Sequence, residues 1–414
     1  MKKRQLLILL LTLPFIIKCV EPFESATQNF ENSLIVQATI TNELKNQHVK
    51  LGRTYPLEEK EPKNEINASV KVIDNLNNEY LFKGDTLGNY YSINKFAAIA
   101  DREYQLKITT SDNKAYQSLP TKLTPLSTNL NIEAKKHVND EGIEGIIILA
   151  NSIDPTGNSK YYRFSYEETH KIIAPYWSPL DAFGVSPLPT VTPSQSYPFY
   201  HEVYTLPRTK EERVCYKTTF SNSILLEETN KYAEDKVTNY PILFIPKSEY
   251  KLTHRYSILV HQRVQSFKAY SFYSTLNKLS GQSNIFSQNQ PGFINGNLVS
   301  TSNPEEKVIG FFEVSSSLSD RIFFAFEDYF PNEPKPKYFT ECDVITPDLD
   351  DKSYRANPEF SPLITSLFYY GMKFYDFNPP ALPPMHNNPY KIVKKECSDC
   401  TSVGSNIKPT FWVD

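Results

Sequence analysis

The chain has little glycine and almost no tryptophan: 13 Gly and 2 Trp in 414 residues, against 30 Pro, 27 Tyr and 26 Phe. The familiar catalytic signatures are missing too. There is no G-x-S-x-G elbow, no H-E-x-x-H, no G-x-x-x-x-G-K-[ST] phosphate loop and no G-x-G-x-x-G turn. His201-Glu202 begins a zinc-protease pair, but Thr205 occupies the position the second histidine needs. His254 and His261 flank one expected strand at an odd separation, which puts them on opposite faces. The pairs Glu167-Glu168, Glu211-Glu212 and Asp350-Asp351 read most simply as solvated turns. A non-catalytic protein with no metal and no cofactor is the expectation.

Long apolar runs are scarce. Only the start approaches one: Lys2, Lys3 and Arg4 precede an apolar stretch from Leu6 to Ile17, broken by Thr12 and Pro14. This is the charged region and short core of an export signal, and it falls below the roughly 20 residues a membrane-spanning helix needs. The run ends in Ile16-Ile17-Lys18-Cys19, without the small-x-small pattern of ordinary cleavage. A cysteine at that boundary resembles a lipobox, although Lys18 stands where a small residue is usual. Residues 1–18 are therefore expected to be a lipoprotein signal, with Cys19 carrying acyl chains that hold the chain to the outer membrane. Residues 19–26, with Glu21 and Glu24, form an acidic tether that resembles those of outer-membrane lipoproteins exported to the cell surface. Loss of Lys2, Lys3, Arg4 and Lys18 from the 44 basic residues leaves an acidic excess, against 47 Asp and Glu, so nucleic acid is excluded as a partner.

Cysteine is sparse as well. Apart from Cys19 there are Cys215, Cys342, Cys397 and Cys400, an even number in a chain expected to enter an oxidising compartment. Structural disulfides are the reading, with the pairing open among three connectivities. A zinc half-site or redox pair at Cys397-x-x-Cys400 is the alternative, but it lacks further ligands and a surrounding βαβ pattern.

Period-two alternation marks the body as mainly β. Leu34, Val36, Ala38 and Ile40 alternate with Ile35, Gln37, Thr39 and Thr41, and Tyr104, Leu106 and Ile108 alternate with Gln105, Lys107 and Thr109. Turn clusters at Asp74–Asn78 and Ser111–Lys114 punctuate these runs. Residues 27–122 are expected to be an antiparallel β-sandwich of immunoglobulin-like or transthyretin-like type. A larger, mostly β domain, 123–414, carries strands at Ile146–Leu149, Tyr161–Tyr166, Ile242–Ile245, Tyr256–Val260, Val308–Val314 and Arg321–Phe326. It also carries one amphipathic helix, with Ala269, Phe272, Tyr273, Leu276 and Leu279 on one stripe ended by Gly281.

Proline and aromatic residues concentrate at Ala174–Pro207, Tyr329–Phe339 and Phe368–Tyr390. The first is expected to be a long loop without strand period, since proline removes a backbone donor. Two readings stand. In one, Tyr176, Trp177, Phe183, Tyr197, Phe199 and Tyr200 dock on a partner, as aromatic residues do at interface cores. In the other, the loops fold back and cap the sandwiches.

The start Cys19-Val-Glu-Pro-Phe23, the strand Leu34–Glu43, the segment Val49–Pro56, the strand and turn Tyr104–Tyr116, and the tail Cys397–Thr401 with Lys408–Trp412 share a further property. Together they resemble the Bacteroidetes lipoprotein family labelled domain of unknown function 4249, with Val403-Gly404 where the family has a glycine pair. The resemblance implies envelope location and no catalytic residues. It also implies companionship with a TonB-dependent β-barrel receptor in nutrient uptake. The competing expectation is a freestanding structural or adhesive surface lipoprotein.

Overall fold

The computed structural model describes residues 32–55, 63–185, 202–280, 294, 296–349, 361–379 and 388–414. Cys19 and the expected signal and tether lie outside them. The first strands are β1 (Leu34–Thr41), β2 (His48–Arg53), β3 (Lys63–Asn64), β4 (Ser69–Asp74), β5 (Glu79–Gly84), β6 (Asn89–Ser92), β7 (Glu103–Thr109), β8 (Ala115–Ser118) and β9 (Thr121–Lys122). They pair antiparallel in the order β8-β7-β4-β5-β6-β2-β1. The alternation of β1 decides its orientation: Leu34, Val36, Ala38 and Ile40 are fully buried in one core with Val70, Val72, Leu106 and Ile108. Full burial of each larger aliphatic chain contributes roughly 1.5–3 kcal/mol. Two tight turns close hairpins as expected, with Asn77 and Asn113 in the left-handed region.

The sheet does not end with residue 122. β19 (Leu298–Ser300) pairs with β8 at one end, and β20 (Val308–Ser315) pairs with β1 at the other. The β1–β20 pair is parallel, from Leu34 opposite Val308 to Thr41 opposite Ser315, the one departure from antiparallel pairing in this sheet. Asn297 then draws the two ends together. Its side chain donates to the Phe312 carbonyl at 2.7 Å and accepts from the Phe312 N–H at 2.8 Å, imitating the strand partner that β20 lacks on that side. The sandwich is nearly closed. Gly310, with φ +147°, lies where a Cβ would strike the Val36 carbonyl oxygen, so the parallel pairing requires glycine there.

A second sandwich follows. β10 (Asn129–Val138), β11 (Glu144–Ile153) and β17 (Lys236–Pro246) form a three-stranded sheet. β12 (Tyr161–Ile173), β15 (Val214–Phe220), β16 (Leu225–Glu228), β18 (Tyr256–Val264) and β21 (Ser317–Phe324) form a five-stranded one. Ile146, Ile148 and Ile245 from the first meet Tyr162, Phe164, Ile258 and Val260 from the second in one core. Tyr162 and Phe164 of β12 and Ile258 and Val260 of β18 face this core, whereas Arg163 of β12 faces away from it, toward Thr39 of β1 and Glu313 of β20. Helix α1 (Phe267–Ser280) lies at that junction, burying Ala269, Phe272, Tyr273 and Leu276 against Phe311 of β20.

The segment expected to be a structureless loop contains a hairpin, β13 (Leu180–Val185) with β14 (Glu202–Pro207). Four of the seven prolines of 174–207 sit in 186–201, outside the described residues, and Pro207 stands at the very end of β14, so the interiors of the stems keep their ladder donors. The C-terminal stretch adds α2 (Pro362–Phe368), β22 (Lys373–Phe377), β23 (Tyr390–Val393) and the single turn α3 (Lys395–Ser398). Leu363, Leu367, Phe374 and Ile392 pack with Ala182 of β13 in a separate small core.

Candidate functional site

One disulfide holds this C-terminal module to the second sandwich, and a second ties it to the segment that follows β21. Cys215 of β15 bonds Cys400 across 185 residues, and Cys342 bonds Cys397 across 55. The Cys397-x-x-Cys400 pair thus reaches two distant partners and is not itself joined. All of Cys215, Cys397 and Cys400 are buried. Tyr216 and Ser405 exchange backbone hydrogen bonds at 2.8 and 2.9 Å, extending the fastening. Trp412 closes it by packing edge-on against Tyr216 and Phe323.

Of the six aromatic residues expected to meet a partner, two fold back. The Tyr176 N–H donates to the Cys397 carbonyl at 2.9 Å and its ring meets Tyr375, while Trp177 packs beside Ile172, Cys215 and Cys400. Phe183 behaves differently: it stacks on Tyr204 across the β13–β14 hairpin and stays exposed. Tyr197, Phe199 and Tyr200 lie outside the described residues.

The most exposed ring among the described residues, Tyr369, follows directly on α2. Ser361 caps this helix by accepting from the Ile364 N–H, Pro362 opens it, and Gly371 at φ +64° ends the following turn. That turn carries Phe368, Tyr369 and Tyr370, exposed by 58%, 82% and 69%, with Phe377 also exposed on β22. Phe368, Tyr369 and Tyr370 are thus three successive solvent-exposed aromatic side chains, more than scattered surface apolar residues.

Among the described residues no cluster of His, Cys, Asp or Glu has metal-binding geometry. Burial pushes His170 and His254 down to about 4, so both are neutral near pH 7. Glu167 and Glu168, adjacent in sequence, point to opposite faces of β12: Glu167 reaches His261 at 3.3 Å, and Glu168 accepts from Lys251 and Tyr256. Ser165, directly opposite His261, adds a hydroxyl to the His261–Glu167 pair. Its oxygen accepts from Arg263 at 3.1 Å, and no hydrogen bond joins it to His261 among the described residues. The arrangement therefore lacks the nucleophile-to-base link of an activated serine.

The face shared by the two sandwiches is polar, and it holds a cavity of about 330 Å³. Register creates its character. Arg163 of β12 and Arg263 of β18 are direct cross-strand neighbours, both projecting toward β1 and β20. Arg163 is partnered: it donates to Glu313 and lies 4.1 Å from the Tyr273 ring centre. Glu313 also accepts from Thr39 at 2.7 Å and Gln265 at 3.0 Å. Arg263 has no carboxylate within ion-pair distance among the described residues, and its buried Nε finds no acceptor there. Burial and the adjacent Arg163 charge hold its guanidinium below the ordinary arginine range. None of this was readable before the register was known.

A family profile, described as "Domain of unknown function (DUF4249)", matches residues 20–321. The chain belongs to this family. No curated protein matches this DUF4249 chain. Among solved structures, a chain titled "Biofilm associated protein - BSP domain" aligns at 8% identity over 72% of this chain and 62% of its own length, with a TM-score of 0.12. That score is too low to carry a structural argument.

Proposed function

We propose that this DUF4249 protein is a non-catalytic binding lipoprotein, anchored in the outer membrane by acyl chains on Cys19, that docks on a TonB-dependent β-barrel receptor and assists its uptake of an external ligand. The observation that carries the reading is the aromatic run Phe368-Tyr369-Tyr370, exposed on a module that the Cys215–Cys400 disulfide fastens to the second sandwich. Exposed rings of this kind cost solubility unless a partner covers them, and aromatic residues dominate the energy of protein interfaces. The bridges Cys215–Cys400 and Cys342–Cys397 keep neighbouring backbone from rearranging, which lowers the ordering cost of docking. Bacterial export, the anchor and the surface location rest on the sequence at Lys2–Cys19 and on the resemblance.

The test is affinity purification from native outer membranes, with mass spectrometry, of the parent protein and of Cys19→Ala. Recovery of one β-barrel receptor with the parent, and its depletion with Cys19→Ala, is the expected result. Recovery of no specific membrane protein would favour a freestanding adhesive or structural lipoprotein instead.

A further inference from the structure

We propose that the cavity between the two sandwiches is a binding site for a small organic carboxylate, received by Arg263 with Arg163 beside it. This site is separate from the receptor-docking surface and does not depend on that reading. Like charges directly opposite on neighbouring strands repel, and charges removed from water carry a desolvation cost. Glu313 pairs directly with Arg163, whereas Arg263 feels Glu313 and Glu43 only through space and has no carboxylate within ion-pair distance among the described residues. Lys45, also on the cavity wall, is already engaged by Glu43 at 2.5 Å, and burial pushes His48 down. The wall therefore offers a single surplus positive charge, which matches a monoanion.

Geometry narrows the ligand further. A guanidinium fork presents parallel N–H donors, the complement of a planar carboxylate. Arg263 spends one donor on Ser165 at 3.1 Å and keeps partial solvent access through the cavity. The volume of about 330 Å³ lies within the range of small-molecule sites, roughly 300–1,000 Å³. Thr39, Ser221 and Asn222 supply hydroxyl and amide groups on one part of the wall, and Tyr273 with Leu276 supplies an apolar part. A carboxylate on a compact body with both hydroxyl and carbon faces fits this lining.

The experiment uses the purified protein in calorimetry and thermal melts, with glucuronate, benzoate and acetate as probes and with glucose and inorganic phosphate as comparisons. At least one carboxylate is expected to bind at about 10 mM or below, more tightly than phosphate, while glucose does not. Arg263→Gln is expected to weaken that binding by about tenfold or more. Without ligand, the same variant is expected to melt no lower than the parent, because it removes the cross-strand repulsion with Arg163; a purely structural arginine would melt lower when replaced. Arg263→Lys, which retains charge without the fork, provides the second variant and is expected to bind more weakly than the parent. Failure of all three carboxylates to bind the parent overturns the proposal. So does equal affinity in Arg263→Gln or in Arg263→Lys, or phosphate binding more tightly than every carboxylate.

Discussion

Replacing Cys215 and Cys400 together by alanine removes the bridge that ties β15 to the C-terminal tail while leaving no odd thiol to mispair. The bridge spans 185 residues, for which loop closure alone gives about 5 kcal/mol, and bridges measured in proteins contribute about 2–4 kcal/mol. The Cys342–Cys397 bridge spans only 55 residues, for which the same relation gives about 4 kcal/mol. Both tryptophans report on this region, since Trp177 packs beside the Cys215–Cys400 bridge and Trp412 packs on the neighbouring Tyr216. Urea unfolding followed by tryptophan fluorescence is therefore the assay. With a slope of about 2–3 kcal/mol per molar, the midpoint of Cys215→Ala/Cys400→Ala should fall by about 1–2 M. Cys342→Ala/Cys397→Ala should lose somewhat less. A midpoint within about 0.3 M of the parent, or a larger loss from the shorter bridge, would refute the argument that closure of the long loop holds the module in place.

Other outcomes follow from single positions. Gly310→Ala places a methyl group against the Val36 carbonyl in the parallel β1–β20 pair and should cost about 3 kcal/mol or more in thermal unfolding; an unchanged melting temperature contradicts the close approach. His170 is buried, accepts or donates a bond with Tyr250 at 3.0 Å, and is held near 4 against an ordinary 6.5. Because its folded value is depressed, the stability it contributes is complete above pH 6.5 and is lost as pH falls toward 4, by up to about 3 kcal/mol. Unfolding of His170→Gln measured across that window should show a shallower loss than the parent, and identical slopes would remove His170 as a cause. Tyr369→Ser/Tyr370→Ser alters exposed rings, so stability should change by no more than about 0.5 kcal/mol while recovery of the receptor drops.

Much of the fold was legible because burial is one-sided. The β1 alternation assigned Leu34, Val36, Ala38 and Ile40 to the core, and the helical stripe assigned Ala269, Phe272, Tyr273 and Leu276 to α1. β10 escaped because only Ile132 of its ten residues is fully buried, which leaves no alternation to read. The β13–β14 hairpin escaped because proline and aromatic composition hid two short stems. β20 was visible as a strand, but its partner β1 lies more than 270 residues earlier, and no local pattern encodes a parallel pairing at that distance. The sites divide in the same way. Four cysteines pointed to disulfides, whereas their connectivity needed the fold. Phe368–Tyr390 stood out by composition, yet only exposure separates Tyr369 and Tyr370 from rings such as Tyr176 that pack inward. Arg163 and Arg263 are ordinary strand residues until register sets them face to face.

The most direct test of the docking surface is site-specific photo-crosslinking in native membranes, with a benzophenone residue at Tyr369 and, for comparison, at Tyr232, which is also exposed but lies between β16 and β17. A single β-barrel adduct at Tyr369 and none at Tyr232 is the predicted result. No adduct at Tyr369, or equal adducts at both positions, would contradict it.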